Sequence, residues 1–212
     1  MSKKKPRKRI GSYIRELSIV IIGVAATLYA GTLINNVKEK NDLNNQLGII
    51  HTELESNIKS LDGLIGFYNR HEQLRKFLKE SIKNPQVGTN DSILKYGYTV
   101  GELYPFIYKK NAYEMFINSG AMKLMTDRNL LLDITECYTM LEIIKDDFDK
   151  YETFKMNELQ KLNDLRGASS YDKSILDPEY RNLFNFYINM QKGDYPIDAK
   201  EHIKKILSRL QQ

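Results

Sequence analysis

Eighteen consecutive residues without a charge, Leu17 to Ile34 (LSIVIIGVAATLYAGTLI), constrain this chain more than any other feature. At about 1.5 Å per residue, a helix of that length spans roughly 27 Å, close to the hydrocarbon thickness of a bilayer. The run begins after Arg15-Glu16 and ends before Asn35-Asn36. Tyr13 and Tyr29 stand near its two edges, where amphipathic rings are favoured. A cleaved signal peptide would need a shorter apolar stretch and a small-x-small site. Ala30 has Leu28 two positions before it, and cleavage near Val24–Ala26 would leave too short a run. A buried core helix fits less well, because the run is apolar on every face. The sequence therefore predicts an uncleaved transmembrane anchor.

Charge sets its orientation. Residues 1–16 contain Lys3, Lys4, Lys5, Arg7, Lys8, Arg9 and Arg15 against Glu16, a net of +6, whereas the whole chain carries +5. The other 196 residues hold 25 basic and 26 acidic side chains, a net of −1. The positive-inside rule puts the basic end in the cytoplasm and the rest outside it, in the periplasm of a Gram-negative cell. A nucleic-acid surface needs a basic stripe on the folded body, and the body is neutral. Cys137 is the only cysteine, so the body must be held by its core.

Beyond the anchor, helical spacing dominates. Between Asn35 and Lys83 no proline occurs; Leu47, Leu54, Leu61 and Tyr68 recur every seven residues. Ile50, Asn57 and Leu64 form a second row, and Ile58 and Ile65 a third. Two rows suggest a coiled coil; three suggest a helix packed in a bundle. The turn-rich stretch from Asn84-Pro85 to Asn90-Asp91 ends this helix. Residues 92–110 form short pieces punctuated by Gly97, Gly101 and Pro105. A helix near 111–119 stops at Gly120. Thr126 or Asp127 caps a long helix whose stripe is Leu130, Ile134, Cys137, Leu141, Ile144 and Phe148, running to about Arg166. Asp177-Pro178 opens a helix ending near Gly193, and Asp198 caps a last one with Ile203, Ile206, Leu207 and Leu210 on one face. The expected fold is all-α: a transmembrane helix continuing into a long stalk helix and a helical bundle. Its divisions are a basic cytoplasmic tail (1–16), a transmembrane helix (17–36) and an extracytoplasmic helical domain (37–212).

Two stretches carry a family resemblance. One is IVIIGVAATLYAGTLINN (Ile19–Asn36); the other is AYEMFINSGAMKLMTDRNLLLDITECY (Ala112–Tyr138), with its Tyr-x3-Ile-x-Ser-Gly core. Together they resemble an uncharacterised family of Bacteroidota single-pass membrane proteins, domain of unknown function 6090. The resemblance implies the same order of basic tail, membrane helix, long helix and Ser-Gly segment. Members usually carry Trp after the Asn-Asn pair, whereas Val37 stands here, which removes an interfacial anchor. The family implies no activity and no catalytic residue.

Candidate chemistry is sparse. His51, His71 and His202 are far apart, and the first two would lie about 30 Å apart along one helix, too far to share a metal. They are expected to be solvated or capping residues. Glu142, Asp146 and Asp149 share a helix face, beside Lys145 and Lys150, and are expected to be solvated. Cys137 lies in an apolar stripe and is expected to be inert. Asn118-Ser119-Gly120 resembles a helix end, not a catalytic serine. Tyr96, Tyr98, Tyr104, Phe106 and Tyr108 form the best candidate recognition surface, although packing against the bundle is their commoner role. Gly23, Thr27 and Gly31 give the membrane helix one face of small side chains, a possible contact between helices.

No catalytic residue, metal ligand or cofactor site is expected. The reading is a membrane-anchored helical interaction or scaffold module of the cell envelope. It would sit single-pass in the bacterial inner membrane, with lipid and a protein partner or second copy as contacts and no nucleic acid. The alternative is a periplasmic ligand-sensing subunit that acts through a partner protein.

Overall fold

The computed structural model describes residues 8–84, 96, 99–166, 185–187 and 194–211. Among them the secondary structure is helical, with no strand. Helix α1 runs unbroken from Lys8 to Lys83, 76 residues. It contains the whole apolar run and the expected stalk, and it is the one described helix long and apolar enough to cross a membrane. None of its apolar window is buried against the rest of the chain. That exposure is opposite to what a core helix requires.

Burial along α1 begins where the heptad rows begin. Leu43 and Leu47 are half-buried, and Ile50, Leu54, Leu61 and Leu64 are fully buried. Helix α2 (Asn111–Asn118) and the 3-10 turn Ala121–Leu124 lie against this part of α1. Gly120 joins them with φ 78°, the left-handed conformation that lets the chain reverse after α2 without a Cβ penalty. Ser119 completes the turn: its Oγ donates to Phe116 O (3.0 Å) and accepts from Ala121 N (3.2 Å). It is the expected helix-end device.

Helix α3 (Arg128–Arg166) starts at Asp127, whose Oδ1 accepts from Leu130 N at 2.9 Å, so Asp127 and not Thr126 is the cap. All six predicted stripe residues, Leu130, Ile134, Cys137, Leu141, Ile144 and Phe148, are buried. Each such side chain contributes about 1.5–3 kcal/mol, which makes this stripe a main source of cohesion. The solvated face is also as expected: Glu142, Asp146 and Asp149 are exposed, and Lys145 pairs with Asp149.

Helix α4 (Tyr195–Leu210) closes the bundle on α1 and α3. Ala199, Ile203 and Ile206 are buried, with Leu207 and Leu210 packed beside them. Its cap corrects the sequence reading. The helix begins one turn earlier, with Asp194 at the cap and Pro196 in the first turn, so Asp198 lies inside the helix. A proline with fixed φ and no N–H suits that opening turn, and this outweighs the capping preference of Asp198. Lys200 pairs with Asp62, and Arg209 with Asp127 and Asp133, which ties α4 to both neighbours. A second, distal core gathers Leu74, Phe77, Leu78, Val100 and Tyr187. The helix expected from Asp177-Pro178 to Gly193 falls mostly outside the described residues.

Candidate functional site

The predicted aromatic segment crosses the bundle with alternating sides. Phe106 is buried and Tyr104 and Tyr108 are half-buried, while Leu103 is 48% and Ile107 65% exposed. Tyr104 lies 5.7 Å from the Phe67 ring and its hydroxyl donates to Ser60 O (3.4 Å). Tyr96 stacks on Phe77 at 4.6 Å, in the distal core. Tyr98 lies outside the described residues. The inward rings pack, and the outward face carries Leu103, Pro105 and Ile107.

Two polar residues of α1 fasten this segment. Asn57 is fully buried; its Nδ2 donates to Lys109 O (2.8 Å) and its Oδ1 accepts from Lys109 N (2.7 Å). The amide is used within the chain, so the Leu47–Leu64 seam is an internal packing face rather than a coiled-coil partner face. Glu53 accepts from Ala112 N (2.8 Å), Tyr113 N (3.3 Å) and the Tyr138 hydroxyl (2.7 Å). A carboxylate at the N-terminus of α2 satisfies orphan N–H groups and faces the positive helix end. Tyr113 stacks on Tyr138 at 4.2 Å above this junction.

The densest titratable cluster was not anticipated. Lys155 of α3 is fully buried, and its Nζ donates to Glu102 O and lies 3.4 Å from His71 Nε2. Phe67 and Tyr187 flank the ammonium at 5.4 and 6.0 Å. Burial lowers the Lys155 pKa to about 8, against the pull of Glu152 and Glu102. His71, expected to be solvated or capping, is instead buried; its Nδ1 sits 3.0 Å from Phe67 O. Burial first, and then the Lys155 charge, lowers its pKa to about 4. Arg70 grips Glu102 through two nitrogens, at 2.5 and 3.1 Å, and holds its carboxyl below the usual range. Burial pushes Glu152 up, and its Oε1 has no hydrogen-bond partner among the described residues. Register could have found two members: His71 follows Asn57 and Leu64 by sevens, and Lys155 follows Leu141 and Phe148 by sevens. A depressed lysine is a common nucleophile. Here its nitrogen is used as a strut between α3 and residue 102 and lies between aromatic rings.

The structure also brings together a trio that the sequence reading did not group. Asp133, Glu136 and His202 hold ligand-type atoms within 4.8 Å of one another. Their geometry serves α4 docking. His202 Nε2 lies 3.1 Å from Asp133 O, and Asp133 Oδ2 accepts from Arg209. The guanidinium already supplies positive charge at that carboxylate.

Cys137 is buried, which pushes its thiol up to about 12, as befits an inert core cysteine. On the small-residue face, Gly23 and Gly31 have no neighbour within 4 Å of a Cβ position. The Thr27 hydroxyl donates to Gly23 O (2.9 Å), which satisfies it without water.

These elements define a helical bundle carried on a long, partly bare apolar helix. Comparison with protein-family models, curated proteins and solved structures gives no match.

Proposed function

We propose that the protein is a membrane-anchored helical interaction module of the bacterial cell envelope, with its basic end cytoplasmic and its bundle periplasmic. It acts through protein contacts and not by catalysis. The likeness to the Bacteroidota family with domain of unknown function 6090 belongs to the same proposal. The observation that carries the reading is the outward side of residues 102–110. Leu103 and Ile107 are among the most exposed large apolar residues outside the bare run. Residues 103–108 make no backbone–backbone hydrogen bond with the described residues. Burial alternates from Glu102 to Tyr108, as along an extended chain; the Tyr104 N–H is used by the Glu152 side chain, while the outward side offers Leu103 and Ile107 as side-chain anchors for an added strand. Pro105 removes one donor and keeps such a pairing short.

The test is capture from membranes with mild detergent. The wild-type chain retains a partner protein. Leu103→Asp with Ile107→Asp lowers that retention tenfold or more, since each anchor contributes about 1.5–3 kcal/mol, and leaves the melting curve unchanged. Equal retention by the double variant sinks this edge as the contact.

A further inference from the structure

A groove opens where the bundle meets the bare part of α1. One wall comes from α1, with Asn36, Glu39, Lys40, Leu43 and Leu47; the other comes from the turn after α2 and the start of α3, with Leu124, Met125 and Leu130. Its volume of about 560 Å³ lies within the usual range for small-molecule sites. Asn36 is two residues beyond Ile34, about 3 Å along the helix axis, and Leu47 about 20 Å. The headgroup layer adds roughly 5–7 Å outside the hydrocarbon. The mouth of the groove therefore stands in the headgroup layer, and its apolar depth rises away from the membrane.

The charges at the mouth are selective. Asp127 is occupied by Arg209 and by Leu130 N. Glu39 and Lys40 are exposed and make no ion pair among the described residues. They leave one carboxylate and one ammonium on adjacent positions, complementary to a group carrying one ammonium and one phosphate.

We propose that this groove holds one zwitterionic phospholipid of the phosphoethanolamine class, with one acyl chain turned up from the bilayer. The phosphate meets Lys40 and the ammonium meets Glu39. The chain lies between Leu43 and Leu47 on one side and Leu124, Met125 and Leu130 on the other. Methylenes moved from bilayer to leucine and methionine walls stay out of water, so the lift costs little apolar burial. The inference rests on the reading of Leu17–Ile34 as a membrane span.

The experiment uses the full chain reconstituted in nanodiscs of equal parts phosphatidylethanolamine and phosphatidylglycerol. The protein is then re-extracted in mild detergent and its retained lipid measured by mass spectrometry. The expected result is about one phosphatidylethanolamine per chain, enriched several-fold over phosphatidylglycerol. Glu39→Gln should reduce the enrichment up to about fivefold, the range of one exposed ion pair. Leu43→Glu should abolish the retained lipid. Both variants are scored only with a wild-type helical spectrum, and Glu39, being exposed, gives the arm that leaves the fold untouched. No headgroup preference, or equal lipid on wild type and both variants, overturns the groove while leaving the membrane span intact. Release of the chain from carbonate-washed membranes overturns the span itself, and the groove with it.

Discussion

Replacing Lys155 with Met tests the physics of the buried cluster directly. Methionine nearly matches the lysine stem in volume and carries no charge. In the folded chain the Lys155 pKa is about 8, against 10.5 when solvated. The folded state thus releases a proton that the unfolded state still binds, and stability rises with pH from about 8 towards 10.5. Below the folded value, both states are protonated and the full desolvation cost, about 3 kcal/mol, remains in place. Linkage gives a gain of about 2 kcal/mol between pH 7 and 9.5 from this one group. Cys137 acts in the opposite sense, because its thiol ionises first in the unfolded chain. Wild type and Lys155→Met share that cysteine and the tyrosines, so the difference between them isolates the lysine. The assay is urea unfolding, followed by circular dichroism, of the fragment from residue 40 onward, which keeps every core residue and omits the bare run. Wild type should gain about 2 kcal/mol on the variant over that range, with the variant at least as stable at pH 7. Parallel pH profiles would refute the argument, because they would mean that the ammonium is solvated in the folded state.

Three further outcomes follow from the same structure. Stability should fall as pH drops from about 6.5 through 4, because the depressed His71 must take up a proton on burial-sensitive ground; His71→Phe should flatten that limb in acid-range melts. Gly63→Ala and Gly66→Ala should have opposite signs, read from thermal midpoints. A Cβ at 63 would collide with the Tyr104 hydroxyl and cost about 1–3 kcal/mol, whereas at 66 its nearest neighbour is the Arg70 guanidinium at 3.5 Å and helix propensity adds about 1 kcal/mol. Deleting residues 194–212 should lower the melting temperature of the fragment, since Ile203 and Ile206 are buried between α1 and α3; unchanged stability with lost liposome binding would mean that α4 serves the membrane surface instead.

Much of this architecture is legible in single-residue patterns because those patterns are local. The bare run, the α3 stripe and the stop at Gly120 each follow from hydrophobic spacing or from one backbone conformation. The boundary at Lys83 follows from Asn84-Pro85 in the same way. What escaped was polar and long-range. Glu53 and Asn57 are fixed by backbone groups more than 50 positions away; the row through Ile50 and Leu64 places Asn57 on the packed face but not its partner, and nothing near Glu53 in sequence marks it as buried. His71 and Lys155 look solvent-bound by type, and only their register with core residues argues otherwise. Asp198 misled because a capping side chain and a first-turn proline compete for the same helix start, and the proline is the stiffer of the two.

Because α1 has no break between the bare run and the bundle, its two ends share one angular phase. Each residue advances the helix by about 100°. On that count Gly23, Thr27 and Gly31 point about half a turn away from Leu43, Leu47 and Leu54, the side on which the bundle sits. Two chains pairing through the glycine side would therefore stand back to back, bundles outward, with each membrane-proximal groove turned to open lipid. Removing a single residue between Asn35 and Asp42 would swing each bundle by about 100° towards its partner while leaving the paired surface unchanged.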